Sequence, residues 1–342
     1  MQKKITLRHI AKHFNVSVTT VSRALKDSFD ISEATKRKIQ KYAKEHHYTR
    51  NPFAVNLQNK GTKTIGIIIP NILNNYFAKV FIGIEKVATE KGYQIIASLS
   101  NESLKKEINA VNNLKNRSLD GLILSLSEET QAKKKYDHLK NMINDGTPIA
   151  MFDRITDQVQ CDKVIVDDFQ GAYNATQHFI YNKLRNIAII STIDNLNIGK
   201  LRIKGYLKAL IDNKIPINNN LILKIDRNDD FETSIRTLLI ENEQIDAILV
   251  LEEISAVHIL KIAKKMGYII PDELSIICFV NGLVSKYTSP SLTTISQHGE
   301  YIGETVAQIL ISRLESNDDN QQFITKVVKT NLLIGESTIN IK

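Results

Sequence analysis

Apolar positions along this chain obey two periods, and the change falls near residue 64. Before it the spacing is helical. After Thr6, residues Leu7, Ile10, Ala11 and Phe14 follow the i, i+3, i+4, i+7 rule of one helical stripe. Thr6 is a good N-cap, and Asn15 accepts the left-handed conformation that ends a helix. Ser17 caps a second helix, with Val21, Ala24 and Leu25 turned inward and Val16 over the turn. Residues 27–30 read as a turn. Ser32 caps a third helix, with Ile39, Tyr42 and Ala43 inward and Lys36, Arg37, Lys38, Lys41 and Lys44 outward.

From residue 64 onward, short Ile/Val/Leu runs alternate with helical stretches. The runs are TIGIIIP (64–70), YQIIASLS (93–100), GLILSLS (121–127), PIAMFDR (148–154), KVIVDD (163–168), NIAIIS (186–191), LILKID (221–226), AILVL (247–251) and LSIICFV (274–280). Helical stretches include 76–91, 105–117, 198–212, 253–266 and 301–314. Such alternation predicts parallel sheets with helices on both faces, and continuous apolar strands are what doubly covered sheets require. The runs are too many for one comfortable sheet, so two similar lobes of about five or six strands each are expected.

The second helix has an unusual outer face. It opens with Ser17, Val18, Thr19 and Thr20, several of them poor helix formers, and then presents Ser22 and Arg23. Two short helices joined by a tight turn and braced by a third form a helix-turn-helix, whose second helix enters the DNA major groove amino end first. Short hydroxyl side chains let the backbone approach DNA. Valine and threonine methyls can meet thymine methyls, and an arginine can grip guanine O6 and N7. The alternative is a plain three-helix bundle with a polar outer face.

Charge favours the first reading. Residues 1–60 carry 13 Lys/Arg and four acids, a balance of +9, whereas the other 282 residues sum to −1. A basic block joined to a neutral body suggests a module for a polyanion. The two cysteines, Cys161 and Cys278, form no metal-ligand pattern and read as reduced core thiols. The amino-terminal stretch lacks the pattern of a secretory signal. No apolar run approaches the ~18–20 residues of a membrane-spanning helix. G-x-G-x-x-G after a strand, G-x-x-x-x-G-K-S/T, H-E-x-x-H and G-x-S-x-G are all missing, so an enzyme is not expected. His46 and His47 at the end of the third helix read as dipole contacts. Asp167 and Asp168 have no Cys or His near them in sequence, so no metal or other cofactor is expected.

After Tyr48 comes TRNPFAVNLQNKGTKT. Asn51 and Pro52 start a helix that Gly61 ends. A lone helix of two turns is marginal in water, so residues 51–61 are expected to act as a linker when DNA is absent.

The stretch ITLRHIAKHFNVSVTTVSRALKD resembles the amino-terminal signature of the lactose-repressor (LacI/GalR) family of bacterial transcription regulators. It departs once, with His9 where the family usually has Asp. The resemblance implies a DNA-binding set of Thr6, Ser17, Val18, Thr19, Thr20, Ser22 and Arg23. It also implies a hinge that folds when two copies meet on the operator, with Leu57 wedged into the minor groove and Ala54 packed nearby. The body is then similar to periplasmic binding proteins, with two doubly wound parallel-sheet lobes behind an all-α helix-turn-helix head. The implied division is residues 1–50 for the head, 51–61 for the hinge, 62–165 plus 294–325 for lobe 1, and 166–293 plus 326–342 for lobe 2. The chain would cross between lobes near residues 165–168, 293–297 and 324–328.

A small-molecule effector, a carbohydrate or related metabolite, would sit at the strand carboxyl ends between the lobes. The resemblance carries its contacts to Asn71, Phe77, Asp153, Arg154, Arg202, Glu252, Asn281 and Gln297. Two departures disfavour a plain hexose. Glu252 and Glu253 stand where the family often has Asn-Asp, and Val280 and Asn281 where it often has two Asp. The implied partners are double-stranded DNA with a near-palindromic operator, the effector, and a second copy of the chain, in the cytoplasm. The tail NLLIGESTINIK carries no apolar heptads, so a dimer rather than a coiled-coil tetramer is expected. A solute-binding protein of a transport system is the alternative that the body alone would allow.

Overall fold

The computed structural model describes residues 5–46, 48, 61–117, 119–226, 229–280, 282–316, 318 and 321–339. The chain divides into two compact units, Met1–Thr62 and Lys63–Lys342.

The first unit contains α1 (Leu7–Phe14), α2 (Val18–Leu25) and α3 (Glu33–Glu45). Its core is Ile10, Ala11, Val21, Ala24, Ile39 and Ala43, with Leu7, Phe14, Leu25 and Tyr42 packed around them. Each predicted cap is in place. The Ser17 hydroxyl accepts from Thr20 N–H at 3.0 Å, and Asn15 closes α1 at φ 52°. His9 completes a capping box with Thr6, its Nδ1 accepting from Thr6 N–H at 3.2 Å. The imidazole thus takes the reciprocal place a carboxylate often fills. Lys36 differs from expectation. It is buried, because the carboxylates of Glu33 (2.9 Å) and Asp27 (3.4 Å) hold its ammonium and its stem is covered. Tyr42 stacks on both His13 and His46, and the His46 ring bonds the Tyr42 carbonyl at 3.0 Å.

The second unit holds two six-stranded sheets. The first comprises β1 (Thr64–Ile69), β2 (Gln94–Leu99), β3 (Gly121–Leu124), β4 (Ile149–Phe152), β5 (Asp162–Val166) and β11 (Thr325–Val328), in the order β11-β5-β4-β3-β1-β2. The second comprises β6 (Ile187–Ser191), β7 (Ile222–Lys224), β8 (Ala247–Val250), β9 (Ser275–Phe279), β10 (Thr293–Ser296) and β12 (Asn331–Leu333), in the order β12-β10-β9-β8-β6-β7. All pairings are parallel except that of β12 with β10.

Alternation along the strands sends side chains to opposite faces. Ile65, Ile67 and Ile69 face a core shared with α4 (Asn75–Glu90) and, further along the chain, α12 (Gly299–Glu315). Ile68, Leu122 and Leu124 face α5 (Leu104–Lys115) and α7 (Asp137–Asn144), with α6 (Glu128–Lys133) between them in sequence. In the second sheet, Ile187, Ile189 and Phe279 face α8 (Asp168–Tyr181) and α9 (Asn197–Asp212). Ala188, Ile190 and Cys278 face α10 (Phe231–Glu241) and α11 (Glu253–Lys265). Both cysteines are buried free thiols. Helices α4 and α12 approach so closely that a Cβ on Gly303 would lie 2.0 Å from the Val80 carbonyl oxygen.

The chain crosses between sheets at 166–168, 296–299 and 328–331, which shifts two expected boundaries. Strand β10 pairs with β9, so residues 294–296 belong to the second lobe rather than the first. Strand β11 pairs with β5 over Thr325–Val328, so residues 326–328 belong to the first lobe rather than the second. Backbone pairing decides both cases, and neither strand carries a long apolar run. Among the described residues, no helix is long and apolar enough to cross a membrane, and no group of His, Cys, Asp and Glu is arranged to hold a metal.

Candidate functional sites: the second-helix face and the interlobe cleft

The outer face of α2 follows from its inner one. With Val21 and Ala24 buried, the 3.6-residue period turns Ser17, Val18, Thr19 and Arg23 to solvent and leaves Thr20 and Ser22 half-buried. Val18, at 41% exposure, is an apolar side chain presented rather than packed. Thr6 is exposed at the start of α1. Arg8, Lys12, Lys26, Arg37, Lys38, Lys41 and Lys44 are exposed on the same unit. Arg23 pairs with Asp30 at 3.3 Å, and both are exposed, so the pair is weak and easily exchanged. Ala54 and Leu57 lie outside the described residues.

In the body, strand carboxyl ends from both sheets line a cleft of about 650 Å³. Asn71 follows β1, and Phe77 stands in the first turn of α4. Asp153 and Arg154 follow β4, Glu252 follows β8, Val280 follows β9, and Gln297 lies on the second crossover. Arg202 enters from α9. Seven of the eight expected effector residues therefore border one cavity, and Asn281 lies outside the described residues. Asp153 and Val280 both take positive φ, 59° and 78°. That conformation is uncommon for Asp and a genuine outlier for a β-branched residue, and such strain concentrates at ligand sites.

Charges organise the cleft floor. Arg202 is 2% exposed; its Nε and Nη2 donate to Asp168 at 2.8 and 2.7 Å, and its Nη1 donates to the Leu251 carbonyl at 2.8 Å. Its guanidinium also lies 3.9 Å from the centre of the Phe279 ring. Arg154 donates to Glu102 at 2.6 Å and stands 3.8 Å from Asp153. Burial pushes the Asp168 carboxyl up to about 6, against the pull of Arg202. Burial likewise raises Asp153 and Glu252, each opposed by Arg154 and Arg202. Four buried polar atoms around the floor find no partner in the protein: Asp153 Oδ1, Arg154 Nε, Gln297 Oε1 and the Tyr76 hydroxyl. At the rim, Gln131 of lobe 1 donates to Asn197 Oδ1 of lobe 2 at 2.7 Å and accepts from its N–H at 3.3 Å.

Sequence reasoning missed Tyr76, Glu102, Thr192 and the role of Asp168. Glu102 sits in a turn at φ 61°, 52 residues from Arg154, and no local pattern joins them. The sequence suggests no role for Asp168 beyond metal ligation, whereas its partner is an arginine 34 residues on.

Two family models match the chain: bacterial regulatory proteins of the lacI family over residues 6–51, and a periplasmic binding protein-like domain over residues 176–338. Catabolite control protein A of Priestia megaterium is 30% identical over 90% of this chain and 91% of its own. The chain belongs to the LacI family. Its relatives are transcription regulators that match head and body together, which sets aside the solute-binding alternative and accords with the missing enzyme motifs. Among solved LacI-family structures, the lac repressor dimer bound to operator and an anti-inducer is 20% identical with a TM-score of 0.83, covering 99% of this chain and all of that one. The transcriptional regulator CelR in complex with cellobiose is 21% identical with a TM-score of 0.72, covering 98% of this chain and all of that one. Both likenesses concern the fold.

Proposed function

We propose that this protein is a cytoplasmic repressor whose affinity for a near-palindromic operator is set by a small polar effector, carbohydrate-like, held between the two lobes. The observation that carries this reading is the pairing of a cationic unit presenting Val18, Thr19 and Arg23 with a body whose strand ends converge on a charged cleft. Two copies would place their second helices in successive major grooves about one turn apart; the lac repressor, of the same fold, is a dimer when bound to its operator. Leu57 and Ala54 would form the minor-groove hinge, where an apolar wedge opens a base step. Asn71, Phe77, Asp153, Arg154, Arg202, Glu252, Asn281 and Gln297 would hold the effector; CelR, a regulator of the same fold, forms a complex with cellobiose. Arg202 would serve mainly as a fixed floor, since Asp168 and Leu251 already take its donors.

The effector acts only through different affinities for two degrees of lobe closure. The Gln131–Asn197 contact marks one such degree. The test is selection of operators from random DNA with the full chain, followed by gel shift with and without carbohydrates. Sequence-selective binding that weakens steeply with salt, and changes with a ligand whose effect Asp153→Asn removes, is the expected result. Binding without sequence preference at any salt concentration would defeat the proposal.

A further inference from the structure

The cleft is short of positive charge where its acids are densest. Both guanidiniums that reach it are already engaged, Arg202 by Asp168 and Arg154 by Glu102. Glu253, the first residue of α11, accepts from the Ser285 N–H at 2.8 Å. Of the other carboxylates that line the cleft, Asp226 and Asp229 are exposed, while Asp153 and Glu252 are set more deeply. Glu252 has the Thr192 hydroxyl as its hydrogen-bond partner and no cation within ion-pair distance among the described residues. Asp153, only 3% exposed, lies 3.8 Å from Arg154 through one oxygen, and its other oxygen, Oδ1, is unpartnered. A second buried acceptor, Gln297 Oε1, is also unpartnered, at 4% exposure of its residue. A buried acceptor without a donor is costly, so these atoms mark where a ligand must bring N–H or O–H groups. The unpartnered donor Arg154 Nε marks where it must bring an oxygen, whereas the Tyr76 hydroxyl already faces Asp153.

A neutral sugar supplies hydroxyls for all of these atoms and leaves the charge deficit untouched. A sugar acid adds to it. From this we propose that the effector is an amino sugar, a hydroxylated ring bearing a protonated nitrogen, with Glu252 as its anionic partner and Asp153 and Gln297 accepting from the rest of its donors. The inference rests on the cleft being the effector site, as set out above, and narrows its ligand class. The ring of Phe231, which also lines the cavity, suits a cation beside it, whereas the Phe77 ring already has the Arg154 guanidinium 5.4 Å from its centre. Burial already disfavours the ionised forms of Asp153 and Glu252, and a bound ammonium relieves that cost.

The experiment is calorimetric titration of the full chain at pH 7.5 with matched hexoses: glucosamine against glucose and N-acetylglucosamine, and the galactose and mannose counterparts. At least one amine should bind about tenfold or more tightly than both its hydroxyl and its N-acetyl partner, the ratio a single charged contact provides. Glu252→Gln, with its fold checked by thermal melting, should bring that ratio close to one. Asp153→Asn serves as a second variant should Glu252→Gln melt early. Equal binding of the neutral partners, tighter binding of a hexuronate, or no binding of any amino hexose each overturns the inference. A neutral sugar that binds and alters operator affinity keeps the effector-controlled reading while removing this one. Operator binding that responds to none of the sugars counts against both.

Discussion

The head and the body of this protein solve opposite electrostatic problems. The head is small, closes on six buried apolar residues, and holds its described cations other than Lys36 in water, where each costs little. The body is large, close to neutral overall, and takes charges into its interior, where Arg202, Asp168 and Asp153 are each under 4% exposed. In the head, an exposed valine among hydroxyls is the informative feature, because nothing in folding asks for it. In the body, a buried ion is the informative feature, because a core would be at least as stable without it. Candidate functional residues therefore stand out by the rule of their surroundings that they break, and that rule differs between the two units.

Removing one partner of the buried pair breaks the comparison hardest. Asp168→Ala leaves the Arg202 guanidinium with the Leu251 carbonyl as its remaining hydrogen-bond partner, a loss of roughly 3–5 kcal/mol in body stability. Thermal melting of residues 63–342 within the full chain should show it, and an unchanged transition would mean the interior is wetter than the structure implies. On the head, Arg23→Ala should lower discrimination against the wrong base by about 1–3 kcal/mol, read by competition gel shift, while non-selective binding persists. If the variant keeps full selectivity, Arg23 does no more than pair with Asp30. A smaller effect, about 1 kcal/mol of head stability, follows from Ser17→Ala, which deletes the cap on Thr20 N–H. Chemical denaturation followed by helical circular dichroism would detect it.

The pH dependence sharpens the contrast further. Asp168 has its folded pKa raised to about 6, above its unfolded value of 3.8, so the folded body binds more protons between those limits. Its stability contribution is then largest below about pH 4 and falls as the pH rises towards 6, levelling off above that. Asp168→Asn should flatten that slope in the body transition, measured as melting temperature from pH 4 to 7. A slope that survives the substitution would assign it to Asp153 or Glu252, whose carboxyls are raised in the same direction.

Much of this was legible in the chain itself. The i, i+3, i+4 stripe and its caps placed α1 to α3, and nine apolar runs correspond to β1 to β9. Where reading failed, the cause was a contact remote in sequence. Lys36 looked outward on its own helix until Asp27, nine residues back, turned it in. Strands β10, β11 and β12 (TTIS, TKVV and NLL) are too short and too polar to announce themselves, and only their pairing partners make them strands. The cleft shows the same division. Its cavity-lining positions were accessible through family resemblance, but the state of each charge was not.

Local periodicity, capping chemistry and the concentration of cations in the first sixty residues determined by themselves that this protein has a helical, cationic head and a doubly wound body. Those signals repeat within a turn or a strand, so the chain carries them wherever it goes. Which lobe owns β10 and β11, which acid neutralises Arg202, and which carboxylates face the cleft were decided only by tertiary structure. Each of those outcomes depends on groups brought together from different elements, where burial and partner, rather than residue type, set what a charge can do.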